Sequence, residues 1–440
     1  MLVTPSKMKL DKKIFFKIHS WIGVKLSILF FIVCFSGTLA TLSHEMDWLF
    51  NPAMRASPQK EYASRNLMVA NFREAYPDAR IQYWMRSEEH YLCDIIYKVE
   101  DGQQSYVFAN PYTGKIQGES AITIQRYFRD LHYFLFIPFQ VGNFLVLIFG
   151  FLLFISLVTA LLFYKKWWRK LFELKTGKGP LVFFRSLHRL VGLWSVPFTL
   201  LFSITGIWYF IERANVGGIG SEINPKSPQL EITRSNQIIV SDQDLSYSID
   251  YDKAISLAKK EIPGLDVGNI YIPQKQTDIL GLVGKSDVPL VRQRANRVYI
   301  DLRSYEVVSS QKANEIGTAM WINDIADPLH FGYWGGLTTK IIWFILGLGI
   351  SSLVLSGIWI TMKRMAIKRK HNKPPIRAWQ YINWVVYGIM LLFMYVNLID
   401  RYRASIEALC IISFGWVIFM ALTYYIFVIR LKGAVNKAQA

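Results

Sequence analysis

Six apolar runs, each long enough to cross a lipid bilayer, constrain the fold of this chain more than any other feature. A transmembrane helix needs about 20 consecutive, mostly apolar residues. The runs lie near residues 20–43, 138–164, 190–211, 338–362, 380–399 and 406–429. With 52% hydrophobic and 15% aromatic residues over 440 positions, the chain is too apolar for an ordinary soluble protein. The sequence therefore predicts an α-helical integral membrane protein with about six transmembrane helices and a lipid bilayer as its environment.

The net charge of +18 follows the expected membrane topology. Lysine and arginine concentrate before the first run, between the second and third runs, and after the fourth run. Loops on the cytoplasmic side of a membrane carry this excess, so we expect both termini to be cytoplasmic. The positive charge therefore indicates topology, and we expect no nucleic-acid partner.

Two polar segments on the outer side, about 45–130 and 212–328, share one pattern of a short helix followed by alternating strands. The predicted helices cover 66–76 and 251–262. The predicted strands are 81–85, 91–99 and 105–110 in the first segment, and 269–272, 279–283 and 297–301 in the second. Each segment is predicted to form a small α+β module.

The expected division of the chain follows from these elements. Residues 1–44 hold the N-terminus and first span, and 45–131 hold the first outer module. Residues 132–211 hold the second and third spans with their cytoplasmic loop, and 212–329 hold the second module. Residues 330–364 form the fourth span, and 365–440 hold a loop, the fifth and sixth spans and the tail.

The chain repeats itself, and each repeat carries a histidine near either end of its apolar runs. The motif His-x-x-x-Gly places His19 and His188 at the start of the first and third spans. The motif Leu-His-aromatic places His132 and His330 just before the second and fourth spans. Four of the seven histidines in the chain occupy these duplicated positions. The internal repeat therefore predicts one histidine pair at each face of the membrane.

Neutral imidazole is a common axial ligand of haem iron, so paired histidines at both faces suit a protein that moves electrons across a bilayer. Because the chain has no Cys-x-x-Cys-His motif, the expected cofactor is non-covalent haem b, two per chain. Nearby arginines are candidates for neutralising haem propionates. They are Arg189 on the inner side and Arg126 and Arg129 on the outer side. An alternative without haem stays open, because histidines at the membrane interface also serve as amphipathic anchors.

The other three histidines have weaker assignments. His44 ends the first span on the outer side, where it is a candidate alternative ligand or a substrate-side group. His90 lies in a charged turn and His371 in a basic loop, so both are expected to be solvated.

The spans also exclude some functions. Apart from Lys25 and Lys340 near their ends, the first four spans contain no charged residue, which argues against an ion-coupled transporter. No glycine-rich phosphate motif follows a predicted strand, so we expect a separate molecule to donate electrons. The fifth and sixth spans contain no histidine and are predicted to be scaffold or a docking surface.

The duplicated motifs, together with the turn at 110–114 and Leu355-Ser356-Gly357, resemble the PepSY-associated transmembrane family over about residues 12–365. These bacterial inner-membrane proteins are often iron-regulated and carry two PepSY-type periplasmic modules. The resemblance implies a haem-containing reductase that releases iron from ferric siderophores. It also implies that His19 and His188 hold an inner haem b, and that His132 and His330 hold an outer one. His44 departs from the family pattern.

Two functions follow as hypotheses. In the first, electrons from a cytoplasmic or quinol donor pass through two bis-histidine haems to a periplasmic ferric siderophore or other ferric chelate. In the second, PepSY modules bind peptide or protein, and the spans anchor a regulator of envelope proteolysis or assembly. A transporter or permease accessory for siderophore complexes is a third reading, disfavoured by the uncharged spans.

Overall fold

The chain folds into a bundle of apolar helices joined to one antiparallel β-sheet. A computed structural model describes residues 11–229, 241–242, 244–275, 277–368 and 378–429. The predicted basic loop with His371 lies outside the described residues.

The helices of the described residues alternate between the bundle and the sheet. In chain order they are α1 (Lys12–Lys25), α2 (Ser27–Ala40), α3 (Ser43–Phe50), α4 (Arg65–Ala75), α5 (Ile124–Phe134), α6 (Phe139–Phe163), α7 (Pro180–Trp194), α8 (Val196–Arg213), α9 (Ile219–Ile223), α10 (Tyr251–Glu261), α11 (Thr318–Phe331), α12 (Gly336–Lys368), α13 (Ala378–Val396) and α14 (Ile406–Tyr424). The strands are β1 (Arg80–Met85), β2 (Asp94–Glu100), β3 (Gln103–Ala109), β4 (Ile116–Ser120), β5 (Asp266–Tyr271), β6 (Leu280–Lys285), β7 (Asn296–Asp301) and β8 (Glu306–Gln311).

By length and composition, four of the described helices are able to cross a membrane. These spans are centred on α6, α12, α13 and α14. Two further candidates are bent pairs, in which α1 and α2 meet at 75° and α7 and α8 meet at 62°. Counting each bent pair as one span brings the number of candidate spans to six.

The bend between α7 and α8 has a local cause. Pro197 lies in the first turn of α8, where its missing N–H costs no helical hydrogen bond. The same residue cannot continue a helix that arrives from α7, because its ring clashes with the preceding turn. The bend between α1 and α2 falls at Leu26, and this bend has no proline. Each repeat therefore begins with a short helix set at an angle to the one that follows it.

The two repeats interlock at two equivalent helix crossings. In the first, α6 crosses α8 where Gly150 and Gly206 meet, and a Cβ built on Gly206 would lie 3.3 Å from the Cα of Gly150. In the second, α12 crosses α2 where Gly347 meets Thr38, and a Cβ on Gly347 would lie 2.5 Å from the Thr38 hydroxyl. Each repeat thus packs its second span against the bent pair of the other repeat. Small residues permit this close approach of the helix backbones.

The two polar segments build a single sheet. Its strand order is β4-β3-β2-β1-β5-β6-β7-β8, and every pairing is antiparallel. Each segment contributes one helix and four consecutive strands, and the halves join where Tyr83 pairs with Tyr271 and Trp84 with Ile270. The α4 and α10 helices cover one face of this sheet and share one hydrophobic core with it. The sequence patterns did not predict that the two segments would join.

The strand predictions agree with the structure for six of the eight strands. The predicted strands overlap β1, β2, β3, β5, β6 and β7, and the predicted helices match α4 and α10 to within one residue at each end. The two terminal strands, β4 and β8, had not been predicted. Residues of β8 are mostly exposed, so they lack the alternation of buried and exposed side chains that identifies a half-buried strand.

A buried carboxylate ties the two halves of the sheet together. Asp94 on β2 is fully buried and accepts hydrogen bonds from Arg65 at 2.7 Å and from the indole of Trp84 at 2.9 Å. Arg65, only 3% exposed, also reaches the backbone carbonyl of Val267 on β5. A buried charge needs such a partner, because removing one member of the pair leaves the other unsolvated.

Replacing Asp94 with alanine is therefore expected to destabilise the sheet by about 3–5 kcal/mol, because it leaves the Arg65 guanidinium buried and unpaired. Proteolysis of the purified protein as a function of urea concentration measures this loss. The matched control is Asp244→Ala, whose ion-pair partner Arg73 is 55% exposed, so the change should stay below about 1 kcal/mol. Equal losses in the two variants would contradict this account of Asp94.

Candidate functional site

Two pairs of histidine rings lie side by side at opposite ends of the bundle. The ring centroids of His132 and His330 are 6.2 Å apart, and we call these residues the sheet-side pair because α5 and α11 follow directly after the sheet. The centroids of His19 and His188 are 6.3 Å apart. This second pair is the far-side pair: His19 contacts α6 at Ser156, about 25 Å along that helix from its sheet-side start.

The spacing within each pair suits two imidazoles bound to one metal ion. With each nitrogen about 2 Å from a metal and the rings on opposite sides of it, the ring centroids lie about 6 Å apart. The structure thus brings together the same two pairs that the duplicated motifs predicted, each with one histidine from either repeat. Their role as haem ligands remains a prediction.

All four histidines use the same ring nitrogen to contact a neighbouring helix. His19 Nδ1 lies 3.0 Å from the carbonyl oxygen of Ser156, and His132 Nδ1 lies 2.8 Å from that of Val33. In the other repeat, the acceptors are hydroxyls. His188 Nδ1 lies 2.9 Å from the Ser356 hydroxyl, and His330 Nδ1 lies 2.7 Å from the Thr205 hydroxyl.

These partners assign the tautomer of each ring. A carbonyl oxygen only accepts, so Nδ1 of His19 and of His132 carries the proton. The hydroxyls of Ser356 and Thr205 already donate to backbone carbonyls of their own helices, so each accepts from its histidine as well.

The same assignment leaves Nε2 unprotonated on all four rings. No residue of the described chain makes a hydrogen bond to any of these Nε2 atoms. A histidine that binds a metal through Nε2 usually donates its Nδ1–H to such a second partner.

Gly37 makes room for the sheet-side pair. A Cβ built on Gly37 would lie 2.6 Å from Cε1 of His132 and 2.8 Å from its Nδ1. Any other residue at this position would therefore displace the ring. Gly37 and Gly206 occupy equivalent positions in the two repeats, but they serve different contacts, since Gly206 packs against Gly150.

Aromatic rings border both pairs. On the far side, the ring of Phe163 lies 5.6 Å from His19 and also contacts Phe16. On the sheet side, Phe202 and Tyr209 lie 5.4 and 5.7 Å from His330. Such apolar walls suit a flat, hydrophobic group held between the two rings of a pair.

The three predicted arginines have different surroundings. Arg189 donates to the Tyr164 hydroxyl and to the carbonyl of Glu173, which ties it to the loop after α6. Arg126 pairs with Asp130 at 3.1 Å and with the Tyr402 hydroxyl. Arg129 is exposed and forms no ion pair with a described residue. Of the three, Arg129 therefore has the charge that is most available to an anion.

A basic depression adjoins the far-side pair. Its cavity of about 460 Å³ is lined by the side chains of Lys12, Lys13, Lys17, Arg364, Phe16 and Phe163. Phe163 contacts both this depression and His19, so the depression adjoins the far-side pair.

His44 lies away from both pairs, in a cluster of charges between the bundle and the sheet. Its Nδ1 lies 3.1 Å from Glu89, which also binds Lys340 at the start of α12. Lys340 in turn lies 2.8 Å from Glu45. Lys340, which the sequence marked as one of two charges in the first four spans, is therefore neutralised by acidic groups from two other elements. The structure gives His44 a structural contact and no place in a histidine pair.

The cluster shifts the pKa of His44 and of Glu89. Burial alone would lower the pKa of His44, but the Glu89 carboxylate outweighs it and raises that pKa above its ordinary value of 6.5. Burial alone would raise the pKa of Glu89, but His44 and Lys340 hold it well below its usual range. Both shifts favour the charged pair.

Comparison with known proteins shows the family. Residues 16–364 match the PepSY-associated TM region, a span that contains both histidine pairs and the sheet. The chain belongs to the PepSY-associated transmembrane family. It is therefore an α-helical membrane protein, with four to six candidate spans among its described helices.

A relative in Pseudomonas aeruginosa, itself described only as an uncharacterised protein, is 23% identical over 256 residues. The alignment covers 54% of this chain and 63% of the relative. It therefore supports the relationship without identifying an activity.

We expect the ion pair of His44 to make stability depend on pH. Because the folded pKa of His44 is raised, its contribution is fully present below pH 6.5 and is lost as the pH rises through the higher folded pKa. The thermal stability of the wild type should therefore fall more with rising pH than that of His44→Gln. This variant keeps a polar group at position 44 without the charge. His90→Gln, an exposed histidine, is the control. The same pH dependence in wild type and His44→Gln would contradict the assignment.

Proposed function

We propose that this protein holds one haem b between the histidines of each pair and carries electrons across a bacterial inner membrane to a ferric chelate. The observation that supports the proposal most directly is the pair geometry. Two pairs at opposite ends of the bundle have metal-bridging spacing, with Nδ1 bonded to protein and Nε2 unprotonated. A bound haem would supply one-electron chemistry at each end of the bundle.

The donor set suits a group that brings most of its own ligands. Among the described residues, no three histidine, cysteine, aspartate or glutamate side chains are grouped so as to hold a metal ion. Two imidazoles alone are too few for a bare structural metal site, which usually has four protein ligands. They are sufficient for a porphyrin iron, which needs the protein only at its two axial positions.

The residues around the rings have definable tasks in this proposal. Each Nδ1 partner keeps its histidine neutral and fixes the ring plane, so that Nε2 presents its lone pair to the iron. Ser356 and Thr205 do this with hydroxyls, and Ser156 and Val33 with carbonyls. The aromatic neighbours keep water from the faces of the bound group.

The direction of electron flow follows from the charges. By the positive-inside rule, the segments rich in lysine and arginine would put both termini and the far-side pair on the cytoplasmic side. The donor, a cytoplasmic or quinol molecule, would deliver electrons at the basic depression next to His19. The sheet and the sheet-side pair would then face the periplasm, where a ferric siderophore or other ferric chelate receives them. Lowering the charge of the iron weakens its attraction to anionic oxygen ligands and so favours its release.

A second candidate is a protein-binding module. The sheet ends in β4 and β8, and terminal strands offer unpaired backbone groups to an extended peptide. In this alternative, the membrane part anchors a regulator of envelope proteolysis or assembly. It requires a colourless protein, so the visible spectrum of the purified wild type, from cells supplied with iron and haem precursor, separates the two functions.

The single variants His188→Ala and His330→Ala should each lose one haem, because each breaks a different pair. The haem content by pyridine haemochrome should fall from about two per chain to about one, and the reduced spectra of the two variants should differ. His90→Ala, at an exposed turn, is the control and should retain the wild-type content. Unchanged haem content in both pair variants would overturn the ligand assignment.

Gly37→Ala provides an independent test of the sheet-side pair without changing a ligand. The added Cβ would lie 2.6 Å from the His132 ring, so the ring must shift from its present position. Because any displacement of the His132 ring changes its position relative to His330, we expect loss of the sheet-side haem signal with the far-side signal retained, measured by low-temperature visible spectroscopy. The matched control is Gly23→Ala, where an added Cβ meets nothing within 4 Å. A full complement of haem in both variants would contradict the role of Gly37.

A further inference from the structure

An arginine-rich depression lies beside the sheet-side pair. Its cavity of about 310 Å³ is lined by residues of α5, by Phe139 at the start of α6 and by Arg401 from the segment between α13 and α14. The lining residues of α5 are Arg126, Arg129, Asp130, Tyr133 and Phe134. Tyr133 and Phe134 directly follow the ligand candidate His132 along α5, so the depression lies at the same end of the bundle as the sheet-side pair.

Positive charge in this depression exceeds negative charge. Arg126 is balanced by Asp130, but neither Arg129 nor Arg401 forms an ion pair with a described residue. A further arginine, Arg213, donates to the Tyr133 hydroxyl at 3.2 Å and lies over the ring of Phe139. Uncompensated guanidinium groups on an aromatic floor are suited to a planar anionic ligand.

The last two spans contribute to this depression. The Tyr402 hydroxyl bonds to Asp130 and Arg126, and the Asn397 side chain donates to the carbonyl of Phe136. These bonds hold the segment between α13 and α14 against α5 and bring Arg401 to the cavity. The sequence analysis had expected these spans to be scaffold or a docking surface.

A row of tyrosines lies on the sheet face that is turned toward these arginines. The row consists of Tyr106 on β3, Tyr97 on β2, Tyr83 on β1 and Tyr271 on β5. Neighbouring ring centroids are 4.9–5.1 Å apart. Strand alternation places them opposite the face that packs on α4 and α10, because their neighbours Trp84, Ile96, Val107 and Ile270 belong to that core.

The arginines of α5 lie close enough to these tyrosines to act on them electrically. Burial raises the pKa of Tyr97, and the charges of Arg126 and Arg129 act against that shift. Arg129 likewise acts on Tyr83. The tyrosine row therefore lies within electrostatic range of these two arginines.

We propose that the arginine-rich depression binds the ferric chelate, and that the chelate is anionic and aromatic, of the catecholate class. One catecholate arm would occupy the cavity lined by Arg129 and Arg401, where Tyr133 and Phe139 supply aromatic surface. The proposal rests on the proposed function, since it names the substrate class of the same outer site. A ferric tricatecholate carries net negative charge and aromatic rings, whereas a trihydroxamate complex is neutral at the iron and lacks such rings.

The test measures binding separately from electron transfer. Gallium(III) forms the same complexes as ferric iron but is not reduced, so a gallium tricatecholate reports binding alone. Quenching of intrinsic fluorescence of the purified full-length protein should show tighter binding of gallium tricatecholate than of gallium trihydroxamate. In the double variant Arg129→Gln with Arg401→Gln, the Kd for the tricatecholate should rise about tenfold, the effect of losing hydrogen bonds to a charged group.

Two controls make the outcome specific. Arg403→Gln removes an exposed arginine of the same segment that does not line the cavity, and it should leave the Kd unchanged. Haem content of the double variant should also stay at the wild-type value. Loss of haem in that variant would overturn the proposal, because it would assign Arg129 and Arg401 to haem propionates.

The remaining outcomes are also distinct. Equal binding of the two gallium complexes, or an unchanged Kd in the double variant, would overturn the substrate class while leaving electron transfer untouched. A haem-free protein that still binds the tricatecholate through these arginines would instead refute the proposed function and support the binding site.

Discussion

The structure depends on the docking of two repeats that are each incomplete alone. Either histidine pair takes one ring from each repeat, so neither pair exists until the repeats meet. Three contacts hold them together: the pairing of β1 with β5, the crossing of α6 with α8, and the crossing of α12 with α2. The backbones of Gly150 and Gly206 meet at the first crossing, and Gly347 meets the Thr38 side chain at the second, so an added side chain at any of them would clash with the other repeat.

The two repeats hold their histidine rings through the same ring nitrogen, but the charged residues near the rings differ. Arg126 and Arg129 lie six and three residues before His132, and the equivalent positions before His330 hold Asp324 and Asp327. Those aspartates pair with Arg292 and Arg294, so their charge is already balanced within the second repeat. The equivalent positions of the two repeats thus carry opposite charges beside the sheet-side pair.

Local sequence signals succeeded where one face of an element is buried by its own neighbours. The alternation in 81–85 and 297–301 identified β1 and β7, because both strands lie inside the sheet. The same signal failed for β8, whose residues are mostly exposed at the sheet edge. Sequence spacing also suggested arginines near the haems, yet it did not reveal that Arg189 is engaged by Glu173 and Tyr164. Such partners come from chain segments whose proximity no local pattern encodes.

The sequence by itself determined the membrane class, the internal duplication and the four histidines that form pairs. Apolar length and repeated motifs are properties of neighbouring residues, so they can be read without a fold. The tertiary structure decided how the repeats join, which atoms hold each ring, and that Arg401, between the last two spans, lines a cavity with residues of α5. It also placed His44 in an ion cluster with Glu89. These features depend on distances between segments far apart in the chain, and packing of the helices and the sheet alone sets those distances.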